Sequence, residues 1–213
     1  MKVGVPKEVK NHEYRVAITP AGVHELASRG HQVYVEESAG LGSSIGDDEY
    51  AAEGATILPT ADDVWGTGDL ILKVKEPIAE EHHLMREGQT LFTYLHLAAS
   101  RECTDALLKQ RVTSIAYETV QTSDAALPLL APMSEVAGRL APQCGAYHLM
   151  RQGGGRGVLM GGVSGVHAAK AVVIGAGVSG MNAAAIALGM QAEVLLLDRN
   201  IDRLREADRI YQG

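Results

Sequence analysis

The fold is decided by the stretch Ala171-Val-Val-Ile-Gly175-Ala-Gly177-Val-Ser-Gly180, which is followed by a second apolar run ending in Asp198. A short apolar strand, a Gly-x-Gly-x-x-Gly turn, a helix of small residues and a second strand ending in an acid are typical of the first half of a dinucleotide-binding domain. Asp198 lies 23 residues after Gly175, near the spacing of about 20 that places a carboxylate at the adenosine ribose. The order of the elements makes this pattern far more specific than three glycines alone.

Each glycine of the turn has its own physical role. Gly175 permits the tight turn out of the strand, Gly177 lets the backbone approach a pyrophosphate, and Gly180 lets the helix pack close to the sheet. The pyrophosphate then lies on the free N–H groups at the helix N-terminus. The turn therefore predicts a dinucleotide site, and the alternative is a Rossmann-like unit that binds no nucleotide.

The acid after the second strand predicts which dinucleotide is bound. Asp198 can accept hydrogen bonds from both ribose hydroxyls and would repel a 2′-phosphate, which favours NAD over NADP. Arg199 complicates this prediction, because a basic residue beside the acid can accommodate that phosphate.

Composition excludes several classes of partner. The chain has 213 residues, 46% of them apolar and 21% charged, and a formal net charge of −7, which argues against binding to nucleic acid or an anionic membrane. No apolar run approaches the roughly 18 residues that span a bilayer, and the N-terminus has no apolar export signal. The two cysteines, Cys103 and Cys144, are not in a Cys-x-x-Cys pair, so free thiols in a reducing cytoplasm are expected. The eight histidines show no metal-ligand spacing, and no metal site is predicted.

Short strands alternate with helices before the dinucleotide motif, which predicts a separate α/β domain with a parallel sheet. The predicted fold is α/β, with two Rossmann-like doubly wound domains of which the second, NAD-binding one is only partly present. We expect one domain over 1–130, a connecting helix with a glycine-rich linker over 131–169, and the first half of the NAD domain over 170–213. Within the linker region, Pro142 is expected to bend the helix. The predicted strands and extended pieces of the first domain are Val3–Val5, Val16–Ile18, Gln32–Val35, Thr56–Leu58, Leu70–Val74, Thr90–Leu95 and Ser114–Tyr117, and the predicted helices are Thr19–Arg29, Asp47–Glu53 and Arg101–Gln110.

Three residues of the first domain are candidates for a binding pocket. Lys75 and His96 lie near the carboxyl ends of apolar strands, and Arg15 precedes the extended piece at Val16, so the three could hold a small carboxylate beside an acid/base. A lysine that ends a buried strand is costly unless its charge meets an anion. The alternatives are a hydrogen-bonded core role for His96, a Lys75 that reaches water, and an Arg15 paired with Glu8 or Glu13.

Several stretches of the chain resemble the alanine dehydrogenase family, NAD-dependent enzymes akin to the nucleotide-binding subunit of the membrane transhydrogenase. The resemblance extends over the whole chain, and several blocks are very specific. These blocks are Val5–Glu8, Glu13-Tyr-Arg-Val-Ala-Ile-Thr-Pro20, Lys73-Val-Lys-Glu-Pro77, Phe92-Thr-Tyr-Leu-His-Leu-Ala-Ala99, Tyr117-Glu-Thr-Val120, Leu127–Arg139 and Gly153–Gly162.

The resemblance implies reversible oxidative deamination of L-alanine to pyruvate and ammonium, with NAD as cofactor. It implies that Arg15 and Lys75 bind the carboxylate and carbonyl of the substrate, that His96 is the acid/base, and that Ser134 contacts the cofactor near the nicotinamide. The family forms hexamers, so a homo-oligomer is expected. The predicted cofactor-binding residues are Ser134, Gly175, Gly177, Val178, Gly180, Asp198 and Arg203.

The chains of this family normally run well beyond residue 213, so the resemblance implies a chain that ends early within the NAD domain. The remainder would supply a catalytic aspartate, and a protein of these residues alone is expected to bind NAD weakly, turn over little alanine and tend to associate. Two further functions stay open. One is the transhydrogenase nucleotide-binding subunit, and the other is a non-catalytic NAD-binding or assembly module.

Overall fold

The computed structural model describes residues 1–212 and divides into two compact units, Met1–Ala125 and Ala126–Gly213. The finer division predicted from the sequence, with a separate linker over 131–169, stays a prediction.

The first unit is built on a six-stranded parallel sheet with the order β3-β2-β1-β4-β5-β6. This order reverses direction between β1 and β4, which is the switch point where open α/β sheets bind ligands. The α/β class predicted from the alternating pattern is confirmed. The strands are β1 Lys2–Val5, β2 Gln32–Glu36, β3 Ala55–Leu58, β4 Leu70–Leu72, β5 Thr90–Thr93 and β6 Thr113–Ala116.

Four helices of this unit connect the strands, and side-chain caps mark where most of them begin. Thr19 accepts a hydrogen bond from the N–H of Gly22, and proline follows it at the first helical position, as predicted. Ser100 caps the fourth helix through the N–H of Cys103. The helices are α1 Pro20–Ser28, α2 Asp47–Ala52, α3 Ala61–Thr67 and α4 Arg101–Gln110.

The structure differs from the expectations in two places. Residues 16–18 do not form a strand, so Arg15 lies in the loop between β1 and α1 rather than at a strand edge. Helix α3 was not predicted, because only Val64 and Trp65 of its seven residues are buried and the apolar periodicity is short. The sequence did contain a start signal for this helix, the N-cap residue Thr60. In the structure, the Thr60 side chain accepts a hydrogen bond from the N–H of Asp63.

Two apolar clusters hold the first unit together. One packs the valines of β1 and β2 against α1 and α2, and the other packs β4 and β5 against α3 and α4. Burial of both sheet faces explains why the central strands read as continuous apolar runs. The largest fully buried apolar side chains are Trp65, Tyr50, Ile71, Leu91, Leu95, Val3, Val5, Val23, Val33 and Val35.

The second unit contains a long helix and one β-α-β-α run. Helix α5 passes through the buried Pro142 without interruption. Strands β7 and β8 pair in parallel, with Lys170 opposite Glu193. The elements are α5 Ala131–Leu149, β7 Lys170–Ile174, α6 Val178–Gly189, β8 Glu193–Leu197 and α7 Ile201–Tyr211.

Helices α5 and α6 cross closely because a glycine lies at the contact. A Cβ on Gly138 would lie 2.3 Å from the carbonyl oxygen of Ser179, so only glycine fits there. Arg139 adds a side-chain hydrogen bond of 2.9 Å from Nε to the amide oxygen of Asn182. Helix α5 is thereby packed against the helix that starts at the glycine turn.

Within residues 1–212, no helix has the length and apolar character needed to cross a membrane. Both cysteines are free; Cys103 is buried and Cys144 is exposed. The same residues contain no group of three histidine, cysteine, aspartate or glutamate side chains arranged to hold a metal ion.

Candidate functional site

The candidate residues of the first unit follow three neighbouring strands at the carboxyl edge of the sheet. Lys75 comes three residues after β4, His96 comes three residues after β5, and Arg15 lies in the loop that follows β1. The strands β1, β4 and β5 are adjacent, so the Arg15 and Lys75 segments leave the sheet at the switch point and the His96 segment leaves it one strand away.

Lys73 is fully buried and its charge is met by the protein itself. Its ammonium lies 2.7 Å from the Glu81 carboxylate and 3.3 Å from the Glu8 carboxylate. Burial raises the pKa of Glu8, and the attraction of Lys73 opposes that rise. For Lys73, the anion expected at the end of this strand is therefore supplied by carboxylates of the protein itself. Lys75 is only half-buried, so its ammonium has less need of such a partner.

Glu8 also holds the backbone that leads to Lys75. Its carboxylate accepts hydrogen bonds of 2.6 Å from the N–H of Val74 and 3.4 Å from the N–H of Lys75. The backbone of Lys75 is thus anchored to the loop that follows β1.

Arg15 makes the pair with Glu13 that the sequence left as an alternative. Its Nε and Nη2 donate to the two carboxylate oxygens of Glu13 at 2.8 and 2.6 Å. This bidentate hydrogen bonding holds the pKa of Glu13 below its ordinary value, with a smaller contribution from Lys75. The Arg15 side chain is nevertheless 44% exposed, so the pair orients the guanidinium without burying it.

His96 lies immediately after the sheet and is exposed, so the core role considered for it is wrong. Its backbone is left-handed, with φ 47° and ψ 37°. Its ring stacks on Tyr94, with 6.1 Å between ring centroids and 15° between the planes.

Tyr94 is a neighbour of the site that sequence reasoning did not single out. Burial raises the pKa of its hydroxyl, the positive charge of Arg15 opposes the rise, and the negative charge of Glu118 adds to it. Tyr94 thereby lies within electrostatic range of Arg15 while its ring contacts His96. The signal in the sequence was its position near the carboxyl end of the predicted strand Thr90–Leu95, at the edge where open α/β sheets bind ligands.

A cavity of about 140 Å³ adjoins Arg15 in the first unit. Glu8 and Glu13 also line it, whereas Lys75 and His96 do not. Its remaining lining residues are Lys7, Tyr14, Ser38, Ala39, Leu41 and Gly42.

The glycine turn of the second unit has the geometry that its three glycines predict. Gly175 has φ +106°, a conformation that L side chains rarely adopt. A Cβ on Gly180 would lie 1.7 Å from the carbonyl oxygen of Gly175, so the helix could not start here with another residue. A Cβ on Gly177 would meet only Arg203, at 3.8 Å, which leaves the space that an approaching phosphate requires.

The start of α6 combines that open space with helical N–H groups. Gly177 is the N-cap and provides no side-chain cap, and Val178 follows as an exposed first helical residue. Ser134, in α5, lies against this turn, since its carbonyl accepts a hydrogen bond of 2.8 Å from the Ser179 hydroxyl. The residues present therefore fit a pyrophosphate at this helix N-terminus.

Asp198 joins the end of β8 to the glycine turn. Its carboxylate accepts hydrogen bonds of 2.7 Å from the N–H groups of Asn200 and Ala176, which lower its pKa. Arg203 lies 3.8 Å from the same carboxylate, and Arg199 lines the adjoining open cavity of about 470 Å³. A carboxylate ionised at neutral pH thus stands beside the turn, with two arginines close by.

Two models of known protein families match the chain, one over most of each unit. The family model described as "Alanine dehydrogenase/PNT, N-terminal domain" matches residues 4–137, and the model described as "Alanine dehydrogenase/PNT, C-terminal domain" matches residues 141–213. The chain belongs to the alanine dehydrogenase/PNT family. The resemblance stated from the sequence is confirmed.

Curated and solved members of the alanine dehydrogenase/PNT family are similar along the whole chain. An alanine dehydrogenase of Mycobacterium tuberculosis is 66% identical over 213 residues, which are 100% of this chain and 57% of that protein. A solved L-alanine dehydrogenase has 48% identity and a TM-score of 0.92, covering 100% of this chain and 59% of the other. A solved transhydrogenase from Sinorhizobium meliloti has 32% identity and a TM-score of 0.81, and the match covers 100% of this chain and 60% of the transhydrogenase chain. The chain spans a little over half the length of these relatives.

Proposed function

We propose that this member of the alanine dehydrogenase/PNT family acts in the reversible, NAD-dependent oxidative deamination of L-alanine to pyruvate and ammonium. The observation that carries the proposal is the placement of Arg15, Lys75 and His96 after three adjacent strands at the switch point of the first unit. This arrangement suits a small amino acid or 2-oxo acid. The two cationic side chains can bind the substrate carboxylate and oxygen, and the histidine can act as acid/base at the reacting carbon.

In the proposed mechanism, Arg15 binds the substrate carboxylate. The guanidinium is already oriented by Glu13, so little ordering remains to be done when the substrate arrives. Lys75 polarises the substrate oxygen and stabilises the negative charge that develops on it. The anchored backbone of Lys75 supports this role.

His96 moves protons in the hydrolytic half of the proposed reaction. Loss of hydride from Cα of the neutral amine leaves an iminium ion, water adds to form a carbinolamine, and the carbinolamine collapses to pyruvate and ammonium. His96 takes the proton from the attacking water and returns one to the leaving nitrogen, which requires an exposed ring close to the substrate carbon.

NAD, when bound, supplies the nicotinamide that accepts the hydride. In our proposal its pyrophosphate is held by the N–H groups from Gly177 and Val178 onward, and Asp198 accepts hydrogen bonds from the ribose hydroxyls. Ser134 and Arg203 complete the cofactor contacts. The ionised Asp198 favours NAD over NADP. Arg199 and Arg203 line the same open cavity as Asp198 and are the residues that could accept a 2′-phosphate.

A second candidate function is hydride exchange, which the similarity to a transhydrogenase supports. The two candidates differ in their need for His96, because hydride exchange between dinucleotides involves no hydrolysis of an imine. The exposed His96, whose ring stacks on Tyr94, favours the amino-acid reaction, since Tyr94 lies within electrostatic range of Arg15.

Steady-state kinetics of NADH formation from L-alanine, with the reverse reaction from pyruvate and ammonium, test the proposal. We expect His96→Ala to lower kcat by about 10²–10⁴-fold. The exposed His83→Ala is the matched control and should leave kcat unchanged. Alanine turnover that is the same in His96→Ala as in the unchanged protein would contradict the proposal and favour hydride exchange or a non-catalytic module.

We further propose that the protein acts in the cytoplasm as a homo-oligomer, a hexamer by the family resemblance, without nucleic-acid or membrane partners. The free thiols of Cys103 and Cys144 and the net negative charge support this assignment. Sedimentation equilibrium measures the oligomer directly, and a monomer at micromolar concentration would contradict it.

A further inference from the structure

One acidic side chain of the first unit binds the backbone of the proposed acid/base. A Glu118 carboxylate oxygen accepts a hydrogen bond of 2.8 Å from the N–H of His96 and another of 3.1 Å from the N–H of Leu95. The second oxygen of Glu118 lies 3.3 Å from the same Leu95 N–H. Glu118 belongs to a 3₁₀ turn that follows β6, the strand next to β5.

These two N–H groups need a partner because the sheet ends just before them. The last regular contact is from the N–H of Tyr94 to the carbonyl of Val74, at 3.2 Å. The chain then turns through the left-handed conformation of His96, so that successive N–H groups face the same side. Such a concavity of backbone N–H groups attracts an anion, and the Glu118 carboxylate occupies it.

Aromatic packing holds Glu118 in this place. The neighbouring Tyr117 ring packs edge-on against Phe92, with 4.3 Å between centroids, and against Tyr94, with 5.0 Å. Tyr94 in turn stacks on the ring of His96. The 3₁₀ turn, the end of β5 and the histidine ring therefore form one connected cluster.

A left-handed backbone is uncommon for a residue with a side chain and persists only where the surroundings enforce it. Without the carboxylate, the segment after β5 would lose the contact that favours φ 47° at His96, and the ring would leave its present direction. The same device occurs one strand away, where Glu8 accepts from the N–H groups of Val74 and Lys75.

We propose that Glu118 is a positioning residue, which fixes the ring of His96 by binding the N–H groups of Leu95 and His96. The proposal deepens the proposed function and rests on it, because positioning matters for catalysis only if His96 is the acid/base. Glu118 itself exchanges no proton with the substrate in this proposal.

The hydrogen bonds and the ring position are tested by NMR on the full chain, independently of activity. In the wild-type protein we expect scalar couplings across the hydrogen bonds from the Leu95 and His96 nitrogens to the Glu118 carboxylate carbon. We also expect nuclear Overhauser effects between the rings of Tyr94 and His96. Absence of both couplings would overturn the proposal without any variant being made.

Glu118→Gln tests the consequence for the ring, and the exposed Glu80→Gln is its matched control. We expect Glu118→Gln to weaken the Tyr94–His96 ring contacts and to speed solvent exchange of the Leu95 and His96 amides. Glu80→Gln should change neither. Ring contacts that stay intact in Glu118→Gln would show that the carboxylate does not position His96. If Glu118→Gln does not fold, Glu118→Asp is used in its place. We expect it to weaken the ring contacts and to speed amide exchange in the same direction, but less strongly.

Kinetics separate positioning from a merely structural role. We expect Glu118→Gln to lower kcat for alanine oxidation by about 10²-fold, as misplacement of a catalytic group does, with KM changed by less than about threefold. Glu118→Asp should recover part of the loss. If the His96 amide of Glu118→Gln exchanges faster with solvent while kcat stays unchanged, the proposal is overturned. Alanine turnover that His96→Ala leaves unchanged would instead refute the proposed function, and the NMR results would then decide the positioning of the ring on their own.

Discussion

The ammonium of Lys73 lies 2.7 Å from the carboxylate of Glu81, and neither side chain is more than 6% exposed. Glu8, equally buried, completes the group at 3.3 Å. Two carboxylates share one buried ammonium, and each accepts a backbone hydrogen bond as well, Glu81 from the N–H of Ile78 and Glu8 from the N–H of Val74. The group ties the loop after β1 to the segment after β4, next to the proposed substrate residues.

We expect Lys73→Met to lower the free energy of unfolding of the first unit by about 3–5 kcal/mol, because it leaves two buried carboxylates without their cation. The exposed Lys109→Met is the control and should change stability by less than about 0.5 kcal/mol. Urea unfolding followed by fluorescence of Trp65, the one tryptophan of the chain and a buried one, measures both. Equal effects of the two substitutions would show that the buried charges are solvated.

Substitution by alanine should have opposite effects on stability at two glycines of helix α6, Gly180 and Gly189. Gly180→Ala places a methyl group 1.7 Å from the carbonyl oxygen of Gly175, so we expect a lower melting temperature and loss of NAD binding. Gly189→Ala meets no atom within 4 Å and should stabilise the helix by about 0.5–1 kcal/mol. Thermal unfolding by circular dichroism and NAD calorimetry measure the pair. Retention of NAD binding by Gly180→Ala would contradict the role given to the turn.

The stability of the second unit should depend on Asp198 at acid pH. The N–H groups of Asn200 and Ala176 hold the folded-state pKa of Asp198 below its ordinary value of 3.8. The contribution of Asp198 to stability is therefore fully present above about pH 3.8 and is lost as the pH falls through the lowered pKa. We expect Asp198→Asn to flatten the acid limb of the stability curve.

The control for this pH dependence is the exposed Asp208→Asn in α7. Circular dichroism of thermal unfolding between about pH 2.5 and 6 compares the variants with the wild type. An acid limb that is equally steep in Asp198→Asn and in the wild type would show that the two N–H contacts do not favour the ionised form.

The two cysteines should differ sharply in reactivity. Burial raises the pKa of the Cys103 thiol to about 11, so almost none of it is thiolate at neutral pH, whereas Cys144 is exposed. Under native conditions at neutral pH, we expect an alkylating reagent to modify Cys144 and to leave Cys103 intact until the protein unfolds. Peptide mass spectrometry after timed alkylation measures this. Equal rates at both thiols would mean that α4 opens readily.

Local signals predicted much of the fold. The glycine turn, the strand before it and the acid after it are contiguous, and their conformations follow from φ preferences and strand length alone. Thr19 likewise capped the helix that starts at Pro20. Helix α3 was not predicted, and residues 16–18 were predicted as an extended piece, because short segments carry too little periodicity to separate strand, helix and loop.

By itself, the sequence determined the α/β class and the strand, glycine turn, helix and strand that lead to Asp198, because each depends on neighbours along the chain. Only the tertiary structure decided which side chains meet at the carboxyl edge. Glu8 reaches Lys73 across 65 residues, and Glu118 reaches His96 across 22. These contacts exist because β1 lies next to β4 and β5 lies next to β6, and strand order is set by burial of the whole sheet rather than by any local stretch.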